Sequence, residues 1–130
     1  MIVLDASAAV DWLLQTSTGK QIENRIYSRH ESLHAPHLLD LEVGQVLRRL
    51  TREGIVLPAR ADQAVQDLLD MRLTRYPHFA LLPRIWQLHH NLTAYDAAYI
   101  VLSEILGAPL ITRDARLISA SSHTARIEVF

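Results

Sequence analysis

Ile2-Val3-Leu4-Asp5-Ala6-Ser7-Ala8-Ala9 is the stretch on which the reading of this chain turns. Three apolar residues, two of them β-branched, make a short run typical of a buried strand. The run stops at Asp5. Ser7 is placed to cap a helix that continues through Val10, Trp12, Leu13 and Leu14. A strand that passes through an acid into a helix is the start of an α/β unit. In open α/β sheets, ligands bind beyond the carboxyl ends of the strands. Asp5 is therefore either a turn or cap residue or the first member of a site.

The pattern recurs near the other end. Gly107 suits the residue after a helix, and Pro109-Leu110-Ile111-Thr112 reads as a buried strand. Arg113-Asp114 stands at its carboxyl end, and Ala115 to Ser119 begins a short helix. Before it, Leu92-Thr93-Ala94-Tyr95-Asp96-Ala97-Ala98-Tyr99 opens another helix. Thr93 is its N-cap, and Asp96 takes the reciprocal capping-box position. Tyr95, Ala98, Tyr99, Leu102 and Ile105 repeat at helical spacing and are expected to face a core. A carboxylate in that first turn is a cap or a ligand for a cation.

In the middle of the chain, Pro36 marks a helix start and the segment runs to about Glu53, with Leu39, Val43, Val46, Leu47 and Leu50 as its apolar stripe. Glu42 falls on the same side, where a charge is costly unless paired or coordinated. Asp40 lies in the first turn, where the helix dipole favours an acid, and is read as structural. Arg48, Arg49, Arg52 and Glu53 form a mostly basic outer face, read as a solvated helix face in preference to an RNA track. Pro58 opens a second helix through Ala61, Ala64, Val65, Leu68, Leu69 and Leu73, so the two make a helical hairpin. Elsewhere, Ser17-Thr18-Gly19 reads as a break before a helix from Lys20 to His30, with Ile22, Ile26 and Tyr27 inward. Ser32 to Ala35 and Phe79 to Leu82 read as short strands, Pro83 as a helix start, and Arg126 to Phe130 as a final strand.

The chain has 130 residues, suited to one compact domain spanning 1–130, and is 49% hydrophobic, which argues against disorder. Its net charge of −1 is not the balance of a protein that holds nucleic acid mainly through phosphates. There is no Cys, hence no disulfide and no thiolate zinc site, as fits a reducing cytosol. The seven His show no metal-ligand spacing. The N-terminus lacks the marks of a signal peptide, and no run approaches the roughly 18 apolar residues of a membrane span, so a cytoplasmic protein with no membrane contact is expected.

Short strands alternating with helices imply a mostly parallel sheet covered on both faces. On such a sheet Asp5, Glu42, Asp96 and Asp114 can converge at one edge. Two carboxylates about 4 Å apart repel by about 4 kcal/mol at an effective dielectric near 20, so four together call for a cation. Their hard oxygens select Mg²⁺, with Mn²⁺ as substitute, over zinc. Such a site suits metal-assisted phosphodiester hydrolysis.

These pieces resemble the PIN-domain family, and within it the VapC-type toxins of bacterial toxin–antitoxin pairs. The resemblance rests on Ile2 to Ala9, Ala35-Pro36-His37-Leu38-Leu39-Asp40-Leu41-Glu42-Val43, Arg84-Ile85-Trp86-Gln87-Leu88, Leu92 to Tyr99, and Leu110 to Leu117, in family order across nearly the whole chain. It implies a three-layer α/β/α sandwich with a short, mostly parallel sheet and a protruding helical hairpin. It also implies a Mg²⁺-dependent endoribonuclease, the toxin of a type II pair, with Asp5, Glu42, Asp96 and Asp114 as catalytic metal-site acids. Ser7 and Thr112 match positions that support the site. A homodimer and a small VapB-type antitoxin are implied as partners, the antitoxin filling a groove at the helical pair. Arg113 is a candidate contact for substrate phosphate or an antitoxin acid. Two departures from the family pattern stand out: Arg116 where some relatives carry a further acid, and Gln45 where many have Asn. The alternatives are a PIN nuclease of RNA processing and a catalytically inactive PIN binding module.

Overall fold

The computed structural model describes residues 1–130. Five strands form one sheet in the order β3-β2-β1-β4-β5, every neighbouring pair parallel: β1 (Ile2–Leu4), β2 (Leu33–Pro36), β3 (Leu73–Tyr76), β4 (Leu110–Thr112) and β5 (Ile127–Val129). The sheet is thus wholly rather than mostly parallel. Three central strands are buried along their whole length, as a sheet covered by helices requires.

Between β1 and β3 run α1 (Ala6–Leu13), α2 (Ser17–Tyr27), α3 (Leu38–Arg52) and α4 (Pro58–Asp70). They pack on one another, with α1 also against β4 and α3 against β2. Between β3 and β4 run α5 (Leu82–Gln87) and α6 (Ala94–Leu106), and α6 lies across β1, β2 and β4. A short α7 (Arg116–Ser119) follows β4. Strand order reverses between β1 and β4, so the crevice beyond their carboxyl ends is the topological switch point of the sheet. Val3 is level with Leu110 and Leu4 with Ile111, which sets Asp5 beside Thr112.

Several expectations are corrected. Ser17-Thr18-Gly19 is the first turn of α2, because the Thr16 hydroxyl accepts the Gly19 N–H at 3.0 Å. Gly19 is required there: a Cβ would lie 1.9 Å from the Asp11 carbonyl oxygen where α2 crosses α1. Pro36 ends β2 instead of starting a helix. The N-terminus of α3 is capped from outside, the His78 Nε2 accepting the Leu38 N–H at 3.0 Å. Phe79 to Leu82 is not a strand; Phe79–Leu81 is a 3₁₀ turn running into α5. The strand lies earlier, at β3, where Leu73 pairs with Leu33 instead of prolonging α4. Tyr95 and Ile105 are 64% and 62% exposed, so the buried arc of α6 is Ala97 to Ser103. Tyr27, Val65 and Leu69 also face outward. No helix is long and apolar enough to cross a membrane.

Candidate active site at the carboxyl end of the sheet

Asp5 is the residue where β1 gives way to α1, in extended conformation (φ −82°, ψ 152°). Asp5, not Ser7, holds the N-cap position of α1, but its side chain makes no capping bond to the helix. Instead its Oδ2 accepts two hydroxyls, Ser7 Oγ at 2.9 Å and Thr112 Oγ1 at 2.5 Å. Both hydroxyls are themselves fixed by backbone. Ser7 Oγ accepts the Arg113 N–H at 3.1 Å, and Thr112 Oγ1 accepts the Asp114 N–H at 3.0 Å. The start of α1 is thereby stitched to the end of β4, and Oδ1 of Asp5 is left without a protein partner.

Glu42, half-buried in the second turn of α3, reaches across to α6, where the Tyr99 hydroxyl donates to its Oε1 at 2.8 Å. Burial raises the Glu42 carboxyl above its ordinary range. The Tyr99 hydrogen bond opposes this, and the charges of Asp5 and Asp96 push it further up. Asp96 sits in the first turn of α6, its N–H donating to the Thr93 hydroxyl at 3.1 Å. Its carboxyl is also raised, first by burial and then by Asp5 and Asp114; the Thr93 hydroxyl and Arg116 offset part of the effect. Asp114 follows β4 and is held differently. Its two oxygens receive the Arg116 guanidinium, at 2.6 Å for the closest pair, and the Arg116 N–H at 3.0 Å. That grip lowers its carboxyl below the usual range despite some burial.

The charges of Asp5 and Asp96 thus reach Glu42, and those of Asp5 and Asp114 reach Asp96, although the four acids are distant in sequence. Asp96 and Asp114 share the wall of an open recess of about 430 Å³ with Arg116 and Thr93. No three Asp, Glu or His side chains converge tightly enough to hold one ion in this arrangement. The donor set itself fits a hard divalent cation: carboxylate oxygens, no thiolate and no imidazole, with mutual repulsion that a cation relieves. Arg113 is turned toward Asp11, Nε to Oδ2 at 3.4 Å, and is 39% exposed at the rim.

One contributor escaped the sequence. Tyr99 belongs to the apolar stripe of α6 and is 1% exposed, yet its hydroxyl serves Glu42. A fully buried Tyr needs a partner for its O–H, and that requirement was the available signal. Burial, with the charges of Glu42 and Asp5, keeps this phenol protonated by raising its pKa.

The family model described as PIN domain matches residues 2–122. Ribonuclease VapC9 of Mycobacterium tuberculosis is 42% identical over 117 residues, 90% of this chain and 88% of that protein. Among solved structures, PAE2754 of Pyrobaculum aerophilum aligns with a TM-score of 0.71 at 26% identity, covering 98% of this chain and 83% of that one. VapBC2 of Rickettsia felis, solved bound to a DNA fragment from its promoter, aligns with a TM-score of 0.67 at 11% identity, covering 99% and 98%.

Proposed function

This chain belongs to the PIN-domain family, and from that premise we propose that it is a VapC-type endoribonuclease, the toxin of a type II toxin–antitoxin pair, acting in the prokaryotic cytoplasm. The observation that supports the reading is the placing of Asp5, Glu42, Asp96 and Asp114 around the carboxyl end of the sheet, near enough for Asp5 to act on Glu42 and Asp96 and for Asp114 to act on Asp96, with three of the four lacking an ion-pair partner. The relatedness to a protein named as a ribonuclease supports it.

In this reading Asp5, Glu42, Asp96 and Asp114 hold Mg²⁺, or Mn²⁺ in its place. When bound, the ion supplies Lewis acidity toward a phosphate oxygen and acidifies water. The protein's own groups do the rest. Ser7 and Thr112 fix the Asp5 carboxylate through Oδ2 and leave Oδ1 unbonded. Tyr99 orients Glu42. Glu42 and Asp96, whose carboxyls are raised by burial and by neighbouring acids, are the candidates to take the proton of the attacking water. Asp114 is engaged through both oxygens by Arg116 and must exchange at least one of those bonds to serve as a ligand.

A small VapB-type antitoxin fits the α3–α4 hairpin, which exposes Leu41, Leu57, Val65 and Leu69. Phe79, Leu82 and Trp86 form a second exposed apolar patch, suited to a homodimer contact. The test of the activity is cleavage of RNA by protein stripped with EDTA. Cleavage is expected to vanish and to return with Mg²⁺ or Mn²⁺, with growth inhibition on induction in cells. Cleavage that survives exhaustive chelation would contradict the reading.

A further inference from the structure

Five arginines of this chain, Arg25, Arg75, Arg84, Arg113 and Arg116, are matched to carboxylates, and Arg60 donates to the Leu13 carbonyl. Arg48, Arg49 and Arg52 are exposed and, like Arg29, Arg72 and Arg126, have no such partner. They share with Gln45 and Glu53 an open groove of about 370 Å³ on α3 that no hydrophobic residue lines. Glu53 lines that groove without forming an ion pair.

Their place on α3 is what gives them meaning. At about 100° per residue, Arg49 lies seven residues and only about 20° from Glu42 around the helix, while Gln45 and Arg52 fall on the same flank. Glu42 sits at the edge of the buried stripe of Leu39, Val43 and Leu47, so this flank is the one that continues from the acids out to solvent. The rise along the axis puts Arg49 about 10 Å and Arg52 about 15 Å from Glu42. Four helices begin at the acids. Neither α1 nor α6 carries a Lys or Arg, and α7 carries only Arg116, which is committed to Asp114. Only α3 leads from the site to free cations.

A cluster of acids repels a polyanion, and an ion within it neutralises charge only locally. Phosphates flanking the reacting one need cations elsewhere. Resting on the nuclease reading above, we propose that Arg48, Arg49 and Arg52, with Gln45, form a track along α3 that grips the backbone phosphates of single-stranded RNA beside the reacting position. The grip is electrostatic and blind to base sequence, and it does not depend on the metal.

The test is fluorescence anisotropy with a labelled single-stranded RNA of mixed sequence, about 20 nucleotides long, in EDTA over a range of salt. It compares the wild-type chain, the triple variant R48Q/R49Q/R52Q, and the control K20Q/R29Q, which removes two cations outside the track. At about 0.7 of log-log salt slope per phosphate contact, the triple variant is expected to lose about 2 in slope and about 10- to 100-fold in affinity near 0.1 M salt. The control is expected to keep most of both. If the triple variant fails to fold, R49Q alone is expected to lose about 0.7 in slope. Wild-type slope and affinity in the triple variant, or an equal loss in the control, overturn the track. So does a wild-type chain that cleaves RNA with Mg²⁺ but binds none in EDTA, and in all of these cases the nuclease reading stands. A wild-type chain that neither binds nor cleaves RNA removes both.

Discussion

The two ends of the parallel sheet treat carboxylates in opposite ways. Near the amino end of β1, the Met1 ammonium meets Glu31 at 2.7 Å, Glu31 meets Arg25 at 3.0 Å, and Arg25 meets Glu128 of β5 at 2.8 Å. Each acid there has a cation, and Glu31 is lowered first by its bond to the Met1 ammonium. At the carboxyl end only Asp114 has a cation, Arg116; Asp5 and Glu42 have only hydroxyl partners, and Asp96 is raised by burial and by its acidic neighbours. Ion-pair networks of the first kind serve the fold. Acids left to repel one another cost stability and are retained where a site requires them.

The largest expected effect falls on the carboxyl end. Asp5→Asn or Asp96→Asn is expected to lower RNA cleavage by about 10³-fold or more, a loss of several kcal/mol of transition-state stabilisation, while melting no earlier than wild type. Full cleavage by a folded Asp96→Asn protein would break the comparison. Next comes the amino end. Arg25→Met leaves Glu128 partly buried without its cation and Glu31 with only the Met1 ammonium, and should cost about 1–2 kcal/mol, less than a fully buried pair because both ends see water. Cleavage is expected to be unchanged, and thermal melting checks the cost. Tyr99→Phe removes the hydroxyl on Glu42 without opening a cavity. A several-fold fall in cleavage is expected, about 1 kcal/mol, with the Mg²⁺ requirement intact.

The smallest effect concerns pH in the absence of divalent ions. Glu42 is raised above its ordinary 4.5, so between that value and the raised one the native state binds more protons than the unfolded chain. Its contribution to stability therefore falls as pH rises through that window and recovers as pH falls. For Glu31 and Glu104 the sign is reversed: both are lowered, their stabilisation is full above 4.5 and is lost as pH falls through the depressed native values. Glu42→Gln should thus melt slightly above wild type at neutral pH in EDTA, and the gap should close on acidification. A Glu42→Gln protein that melts lower at neutral pH would make Glu42 a structural residue.

What the sequence revealed follows from how local each signal is. The strand–acid–helix junctions at Asp5 and Asp114 are legible because a run of β-formers and the acid that ends it are adjacent. The Thr93 cap and the position of Glu42 on an apolar stripe are local in the same sense. β3 is not legible, because Leu73 continues the helical spacing of Leu68 and Leu69 and becomes a strand only through pairing with β2. The bond from Tyr99 to Glu42 spans 57 residues, and no periodicity announces it. Arg116 marked a departure from the family pattern in the sequence; its grip on Asp114 is visible only in three dimensions.

The account rests on the acids at the carboxyl end acting together on one divalent ion. Calorimetric titration of Mn²⁺ into the chelator-stripped wild-type, Asp96→Asn and Arg25→Met proteins tests this most directly. A saturable isotherm is expected for wild type and Arg25→Met and is expected to be lost in Asp96→Asn. An isotherm in Asp96→Asn equal to that of wild type, or no binding in wild type, would contradict it.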